Sequence, residues 1–294
     1  RAEEVATTIG RNNVSWVQLD AFKHDELVEA IKGFDLVVGA LPGEVGYLSV
    51  KACVDAKVNA VDVSFMPEDP LTLSKAALKA GVTIIPDCGV APGLSNMLVQ
   101  RAISRLDQVK SAQIMVGGLP EKPIPPLGYT VTWSVEGVID EYMRKAKIVQ
   151  DGKVIEVEAL SGLEEAKLPG VGKLEAFYTD GLRTLLNTVK GVECMGEKTL
   201  RYPGHIEKIK LLKTLGFLDE KPIQVEGVSI PPRQITAKLL ERKLLRPDVP
   251  DILTMLVQVD GKKAARRVMY SYYLLDRYDK KSKVTAMSRT TGYT

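Results

Sequence analysis

Phe34–Leu41 reads FDLVVGAL, Asn59–Phe65 reads NAVDVSF and Val82–Asp87 reads VTIIPD. Each is a short apolar run rich in β-branched residues, the pattern of a strand, and the first is continuous enough for burial on both faces. Two stretches with helical spacing separate them, Gly43–Ala56 and Pro70–Ala80, the second stopped by Gly81. Strand, helix, strand, helix at this spacing predicts βαβ units and a parallel sheet with right-handed crossovers. Upstream, Val14–Asp20 (VSWVQLD) reads as a further strand, Asp25–Lys32 as a helix, and Arg1–Ile9 as a helix already under way.

After Cys88–Gly93 (CGVAPG) the rhythm changes. Leu94–Leu106 reads as one long helix. Strands are then expected at Gln113–Gly118, Tyr129–Ser134, Ala146–Val149, Lys153–Glu158, Leu174–Tyr178, Met255–Val259 and Arg266–Leu275. Asp151-Gly152 marks a hairpin turn, because Asp-Gly tolerates the positive φ angles of tight hairpins, and a second turn is expected at Asp260-Gly261. Pro120–Pro126 (PEKPIPP) is too proline-rich for regular structure and should be a surface loop. Helices are expected at Ile206–Leu215 and Thr236–Leu245, the latter followed by Arg246-Pro247. This region predicts a second α/β domain with a mixed or antiparallel sheet.

Composition narrows the partners. The chain has 294 residues, 45% apolar and 26% charged, which fits two folded domains. Its net charge of +3 gives no reason to expect a nucleic-acid partner, and no run of about 18 apolar residues offers a membrane span. Cys53, Cys88 and Cys194 lie far apart, as reduced thiols of a cytoplasmic protein do, and form neither a disulfide frame nor a zinc site. His24 and His205 are the only histidines, so His-rich metal motifs are excluded and no metal is expected. Residue 1 is Arg, with nothing like a signal peptide after it. The sequence has no G-x-G-x-x-G; the nearest match, Gly170-Val171-Gly172, has Glu175 at the third glycine's position.

Three motifs then stand in register: Phe34–Pro42 (FDLVVGALP), Asp87–Gly93 (DCGVAPG) and Thr199–His205 (TLRYPGH), with Ser288–Thr294 (SRTTGYT) near the end. In these the sequence resembles the saccharopine dehydrogenase-like family of NAD(P)-dependent amino-acid oxidoreductases, which includes the saccharopine reductase and lysine 6-dehydrogenase branches. The resemblance runs from about Val14 to the end. It implies a Rossmann-type parallel sheet with an inserted second domain, NAD or NADP as cofactor, a small amino-acid substrate and a homodimer. By that template residues 1–93 are a partial dinucleotide-binding domain, 94–284 a substrate-binding and dimerisation domain, and 285–294 a return to the first. The first βαβ half-unit with its glycine turn, and the closing helix, are expected to be missing.

Candidate site residues follow from the motifs. Leu41 and Pro42 end a strand at the edge where open parallel sheets bind ligands. The residues alone read as an ordinary strand-to-helix turn, and the resemblance adds contact with a cofactor ribose. Asp20 resembles a position near the adenine or its ribose, though capping the helix after Ala21 serves it equally. Asp62 and Ser64 share one face of a strand. A carboxylate there needs a partner, so Asp62 is either structural or catalytic, and the resemblance brings Val63 and Ser64 near nicotinamide and substrate. In Asp87–Gly93, Cys88, Gly89, Val90 and Pro92 are the expected cofactor contacts: glycine permits close approach, Pro92 suits a first helical turn, and Cys88 reads equally as a small buried hydrophobe. Saccharopine reductases carry Asp where Ala91 stands, which favours the lysine 6-dehydrogenase branch.

Oxidising a carbon that bears an amine needs a cation for the α-carboxylate and a base for the ammonium proton. Arg201 suits the first and His205 the second, with Tyr202 beside them. A helix-capping His205 and a salt-bridged Arg201 are the structural alternatives. Thr132, next to Trp133, is placed in the substrate pocket by fold position. His24, Tyr270–Tyr273 and Lys280–Lys283 read respectively as solvated, packing and turn residues. The expected reaction is oxidative deamination of the lysine side-chain amine, with saccharopine-type or polyamine-forming chemistry, or a non-catalytic cofactor-binding protein, as alternatives.

Overall fold

The computed structural model describes residues 2–246 and 248–294; Arg1, within the helix expected over Arg1–Ile9, and Pro247, expected just after the Thr236–Leu245 helix, lie outside the described residues. The chain divides into two units, residues 1–86 and 87–294. The division falls earlier than residue 93 because the DCGVAPG segment bonds within the second unit, where Asp87 accepts the Thr184 N–H at 3.2 Å.

The first unit contains α1 (Ala2–Ile9), α2 (His24–Ile31), β1 (Leu36–Gly39), α3 (Gly43–Ala56), β2 (Asn59–Asp62), α4 (Ser74–Ala80) and β3 (Ile84–Ile85). The three strands form a parallel sheet in the order β1-β2-β3, as the βαβ spacing predicts. Gly81 closes α4 in the left-handed conformation at φ 73°. Two expectations fail. Val14–Asp20 forms no strand: Trp16 and Val17 are exposed and no strand pairs with the segment among the described residues. The expected double burial of β1 is not seen: among the described residues it pairs with β2 alone, and Leu36 and Val38 are exposed.

The second unit contains α5 (Leu94–Ile103), β4 (Gln108–Pro120), α6 (Val135–Met143), β5 (Ala146–Gln150), β6 (Lys153–Val157), β7 (Glu164–Leu168), β8 (Gly172–Tyr178), α7 (Leu185–Thr188) and β9 (Cys194–Arg201). It continues through α8 (His205–Thr214), β10 (Ile223–Val225), β11 (Val228–Ile230), α9 (Pro232–Leu244), β12 (Asp251–Lys263), β13 (Arg266–Arg277) and α10 (Ala286–Tyr293). A mixed sheet runs β13-β12-β4-β9-β5-β6, with the β7–β8 hairpin joined through β8 to β9. Only β4 and β9 pair in parallel; the other pairings in this sheet are antiparallel. One core packs α6, α8 and α9, and a second packs α5, α7 and α10.

Several boundaries differ from the sequence expectation. Tyr129–Ser134 is not a strand: Val131 makes one bridge to Leu245, and Ser134 caps α6 by accepting the Gly137 N–H. Asp151-Gly152 does turn the β5–β6 hairpin, with both residues at positive φ. The turn expected at Asp260-Gly261 lies instead at Ala264-Ala265. Gly261 is needed within the ladder, where a Cβ would stand 2.2 Å from the Gln108 carbonyl oxygen. Gly170-Val171-Gly172 is the connection of the β7–β8 hairpin and not a phosphate loop. Pro92 precedes α5 rather than opening it, because Gly93 is the N-cap. Residues 285–294, expected to rejoin the first domain, form α10, whose first two N–H groups are held by the buried carboxylate of Asp251 in β12.

Candidate functional site

The third motif begins on β9, whose two-residue period puts Glu197, Thr199 and Arg201 on one face. All three are buried. The Arg201 guanidinium donates from Nη2 to Glu141 Oε2 at 2.7 Å, from Nη1 to the Leu200 carbonyl at 3.0 Å and from Nε to Tyr142 Oη at 3.2 Å. Its carbon also lies 4.4 Å from the centre of the Tyr129 ring, a cation–π stack. Burial works against its charge, but Tyr142, Tyr129 and Glu141 outweigh it and hold the guanidinium protonated.

His205 opens α8 after Gly204, which takes φ 81°. Its Nδ1 stands 2.9 Å from the Leu127 carbonyl and its Nε2 2.8 Å from Tyr142 Oη. A carbonyl can only accept, so Nδ1 carries the hydrogen and Nε2 accepts the phenol O–H. Burial and the nearby Arg201 push its pKa down to about 3, so the ring is neutral at pH 7. The two motif residues expected at the substrate are therefore joined through Tyr142; both ring nitrogens of His205 and each guanidinium nitrogen of Arg201 already have a partner. Tyr202 is likewise spent, its hydroxyl bonding the carbonyls of Pro120 and Glu121 at 3.0 and 3.2 Å.

The network continues along the strand face. Thr199 Oγ1 lies 2.6 Å from Glu141 Oε1 and 2.8 Å from Thr179 Oγ1, which lies 2.6 Å from Glu197 Oε2. Burial, with Glu141 and Asp180 nearby, pushes the Glu197 carboxyl up to about 8. Thr179 belongs to a segment, TDGLRT over 179–184, that reaches back to the second motif. Arg183 Nη1 donates to Asp180 at 3.1 Å and Arg183 Nε stands 3.9 Å from Asp87 Oδ1. Thr184 receives a hydrogen bond from Asn96 at 3.2 Å. Within the second motif the glycines serve the loop itself: Gly93 has φ 136°, and a Cβ there would lie 1.8 Å from the Gly89 carbonyl oxygen. Cys88 and Val90 are partly and fully buried in that loop.

Thr130 and Thr132 differ from this saturated network. Both hydroxyl oxygens are buried with no hydrogen-bond partner among the described residues. A buried unsatisfied hydroxyl costs about 1–3 kcal/mol, so such atoms mark a place for another polar group. Glu141, Tyr142, Tyr129, Glu197 and the 179–184 segment were not singled out by sequence reading. The one available signal was TDGLRT, a polar run that follows an expected strand.

In the first unit, Asp62 and Ser64 do meet. The carboxylate accepts the Ser64 N–H at 2.8 Å and its O–H at 3.1 Å, beside a Gly39 whose Cβ would collide with Asp62 Oδ2. Asp62 thus folds the β2 end, and Val63 donates its N–H to the Gly39 carbonyl at 3.0 Å. Gly43 is required by the Phe65 carbonyl, 2.3 Å from a Cβ placed there. Leu41 and Pro42 remain exposed beyond β1, and Pro42 gives α3 no side-chain cap. That edge offers the N–H groups at the start of α3, donors of the kind an anionic or carbonyl ligand group accepts. Asp20 is exposed and accepts the Phe22 N–H at 3.0 Å, fixing a turn ahead of α2. Among the described residues no group of three or more His, Cys, Asp or Glu could hold a metal ion. None of their helices is long and apolar enough to cross a membrane.

Comparison with known proteins supplies the context for this geometry. Residues 1–85 match the model of the saccharopine dehydrogenase NADP binding domain, and residues 89–294 that of the saccharopine dehydrogenase C-terminal domain. The alpha-aminoadipic semialdehyde synthase of Arabidopsis thaliana is 27% identical over 82% of the chain and 24% of its own length. A Schizosaccharomyces pombe protein named saccharopine dehydrogenase [NADP(+), L-glutamate-forming] is 28% identical over 79% of the chain and 55% of its length. The chain thus spans about half of that enzyme and a quarter of the synthase. Among solved structures, the apo Saccharomyces cerevisiae saccharopine dehydrogenase (L-Glu forming) superposes with TM-score 0.76 at 20% identity, covering 99% of this chain and 81% of that one. The homospermidine synthase of Legionella pneumophila, solved with NAD, superposes at 0.61 with 14% identity, covering 98% and 72%.

Proposed function

The chain belongs to the saccharopine dehydrogenase family, and from that premise we propose that it works as an NADP-dependent oxidoreductase on a C–N bond of a basic amino acid. The observation that carries the reading is the pair of matches on one chain, a cofactor-binding domain over 1–85 and the family's C-terminal domain over 89–294. The substrate assigned is a secondary amine of the saccharopine type, supported by the name and product of the fungal relative. A second reading, oxidation of the lysine side-chain amine, is favoured by Ala91, which stands where the saccharopine branch carries Asp.

In either case a hydride leaves the carbon bearing nitrogen and a proton leaves the nitrogen. Water then splits the imine into an aldehyde and the released nitrogen compound, glutamate for saccharopine and ammonia for lysine. NADP⁺, when bound, supplies the two-electron acceptor. Leu41, Pro42 and the uncapped start of α3 are assigned to its ribose side, with Val63 and Ser64 as further contacts. Thr132, whose buried hydroxyl has no partner among the described residues, is assigned to the polar end of the substrate. Arg201 and His205 become positioning residues: the first orients Glu141, and the second holds Tyr142. Asp62 positions Ser64.

The test is to mix the chain with NADP⁺ or NAD⁺ and, in turn, saccharopine, lysine and diamines, following the reduced-nicotinamide absorbance and, separately, substrate binding by calorimetry. Saccharopine with NADP⁺ should give both signals. Signals with lysine alone would establish the second reading, and neither binding nor reduction with any amine would sink both.

A further inference from the structure

Hydrogen counting along the β9 face exposes a requirement that the ion pairs do not meet. Three oxygen–oxygen contacts link Glu197, Thr179, Thr199 and Glu141, at 2.6, 2.8 and 2.6 Å. Each is short enough to need a hydrogen between its oxygens. The two threonine hydroxyls supply two hydrogens, and ionised carboxylates supply none. The third hydrogen has to sit on a carboxyl group. If it sits on Glu197, the donation runs Glu197 to Thr179 to Thr199 to Glu141; if on Glu141, every bond reverses.

We propose that Glu197 and Glu141 share one proton through the hydroxyls of Thr179 and Thr199, with Glu197 holding it at rest. Position settles which end holds it. Glu141 receives the Arg201 guanidinium at 2.7 Å and is kept ionised by it. Among the described residues no cation forms a salt bridge with Glu197. Glu141 and Asp180 are the charges that oppose its ionisation, and Arg201 is the one that favours it. Asp180 is itself paired with Arg183 at 3.1 Å and Arg144 at 3.7 Å. Lys198, the next residue on the strand, turns to the other face, where it meets Glu164 and the Gly162 carbonyl. The backbone of Gly181 closes over the carboxyl, since a Cβ there would stand 2.4 Å from it.

Moving the proton breaks the Glu197 O–H bond, passes one hydrogen along each threonine and forms an O–H bond on Glu141. No co-reactant is involved. The transfer neutralises the partner of Arg201, so Glu197 is a positioning residue whose proton decides how Arg201 is balanced. The shared proton is independent of which amine the protein oxidises.

Infrared spectroscopy and pH-dependent unfolding test it on the whole chain. At pH 7 the protein should show a protonated-carboxyl stretch that disappears in Glu197→Gln, whose amide N–H can take over the donation to Thr179. In Thr199→Val the hydroxyl of Thr179 loses its acceptor, so the same band should shift. The folded state holds a proton that the unfolded chain releases near pH 4.3. From about pH 5 to about pH 8, therefore, the unfolding equilibrium constant of the native sequence should rise about tenfold per pH unit relative to Glu197→Gln. A carboxyl band that survives in Glu197→Gln, or equal pH slopes in the two proteins, overturns the proposal. So does a band left unmoved by Thr199→Val.

Discussion

β1 and β9 invert each other. β1 is Leu-Val-Val-Gly, yet Leu36 and Val38 are 52% and 69% exposed. β9 carries Glu197, Lys198 and Arg201, and none of them is more than 7% exposed. The cause is position in the sheet. Among the described residues β1 has one hydrogen-bonded neighbour, β2, whereas β9 has β4 on one side and β8 and β5 on the other. A strand in the middle of a sheet can keep charges only if each finds a partner, because a buried lone charge is far too costly. Arg201 has Glu141, Lys198 has Glu164, and Glu197 has Thr179 and the shared proton. Those obligatory partners draw α6, the 179–184 segment and the start of α8 into one network. The polar strand organises its unit, and the apolar strand is held mainly by backbone geometry.

The largest test of that contrast removes a partner from β9. Glu141→Ala leaves the Arg201 guanidinium buried beside only neutral groups, and breaking a buried pair from one side costs about 3–5 kcal/mol. The urea midpoint should fall accordingly, with Thr199 losing its acceptor as well. A loss below about 1 kcal/mol would place this pair with exposed ion pairs and end the claim that β9 depends on its partners.

The same contrast explains what could be read from the sequence. The parallel βαβ order, α3, α4 with its Gly81 stop and the Asp-Gly hairpin were legible, because each rests on local pattern or turn chemistry. β9 was not, since Cys-Met-Gly-Glu-Lys-Thr-Leu-Arg has neither apolar alternation nor a β-branched run. Its strand state comes from β4 and β8, which are remote in sequence. Tyr129–Ser134 failed in the opposite sense: its alternating apolar and polar residues suit a strand, but tertiary contacts make it a loop with one bridge. Of the candidate site, Arg201 and His205 were visible as residue types. Glu141, Tyr142 and Glu197 were hidden in an unremarked helix and strand, and nothing local announces that they meet.

Gly39→Ala probes what holds β1. A Cβ at that position would stand 2.0 Å from Asp62 Oδ2, and Asp62 is tied to the Ser64 N–H and O–H. The carboxylate would have to leave its place or the strand would have to shift, and such overpacking costs about 1–3 kcal/mol. The expected result is a lower denaturation midpoint with an unchanged urea slope. No loss would mean that the β2 end yields freely and that Asp62 does not fix it.

Val38→Thr is the smallest and the most direct challenge, because it alters the apolar side chain that β1 leaves in solvent. Threonine keeps the branched Cβ that strands favour and adds a hydroxyl that water can satisfy at a site 69% exposed. Little apolar area is withdrawn from water there, so the change should stay within about 0.5 kcal/mol, the range of ordinary surface substitutions. Thermal unfolding of the variant beside the native chain measures it. If Val38→Thr instead cost as much as Gly39→Ala, the outer face of β1 would have to be covered in solution. β1 would then be buried by its own side chains, and the contrast with β9 would collapse to one between apolar and polar cores.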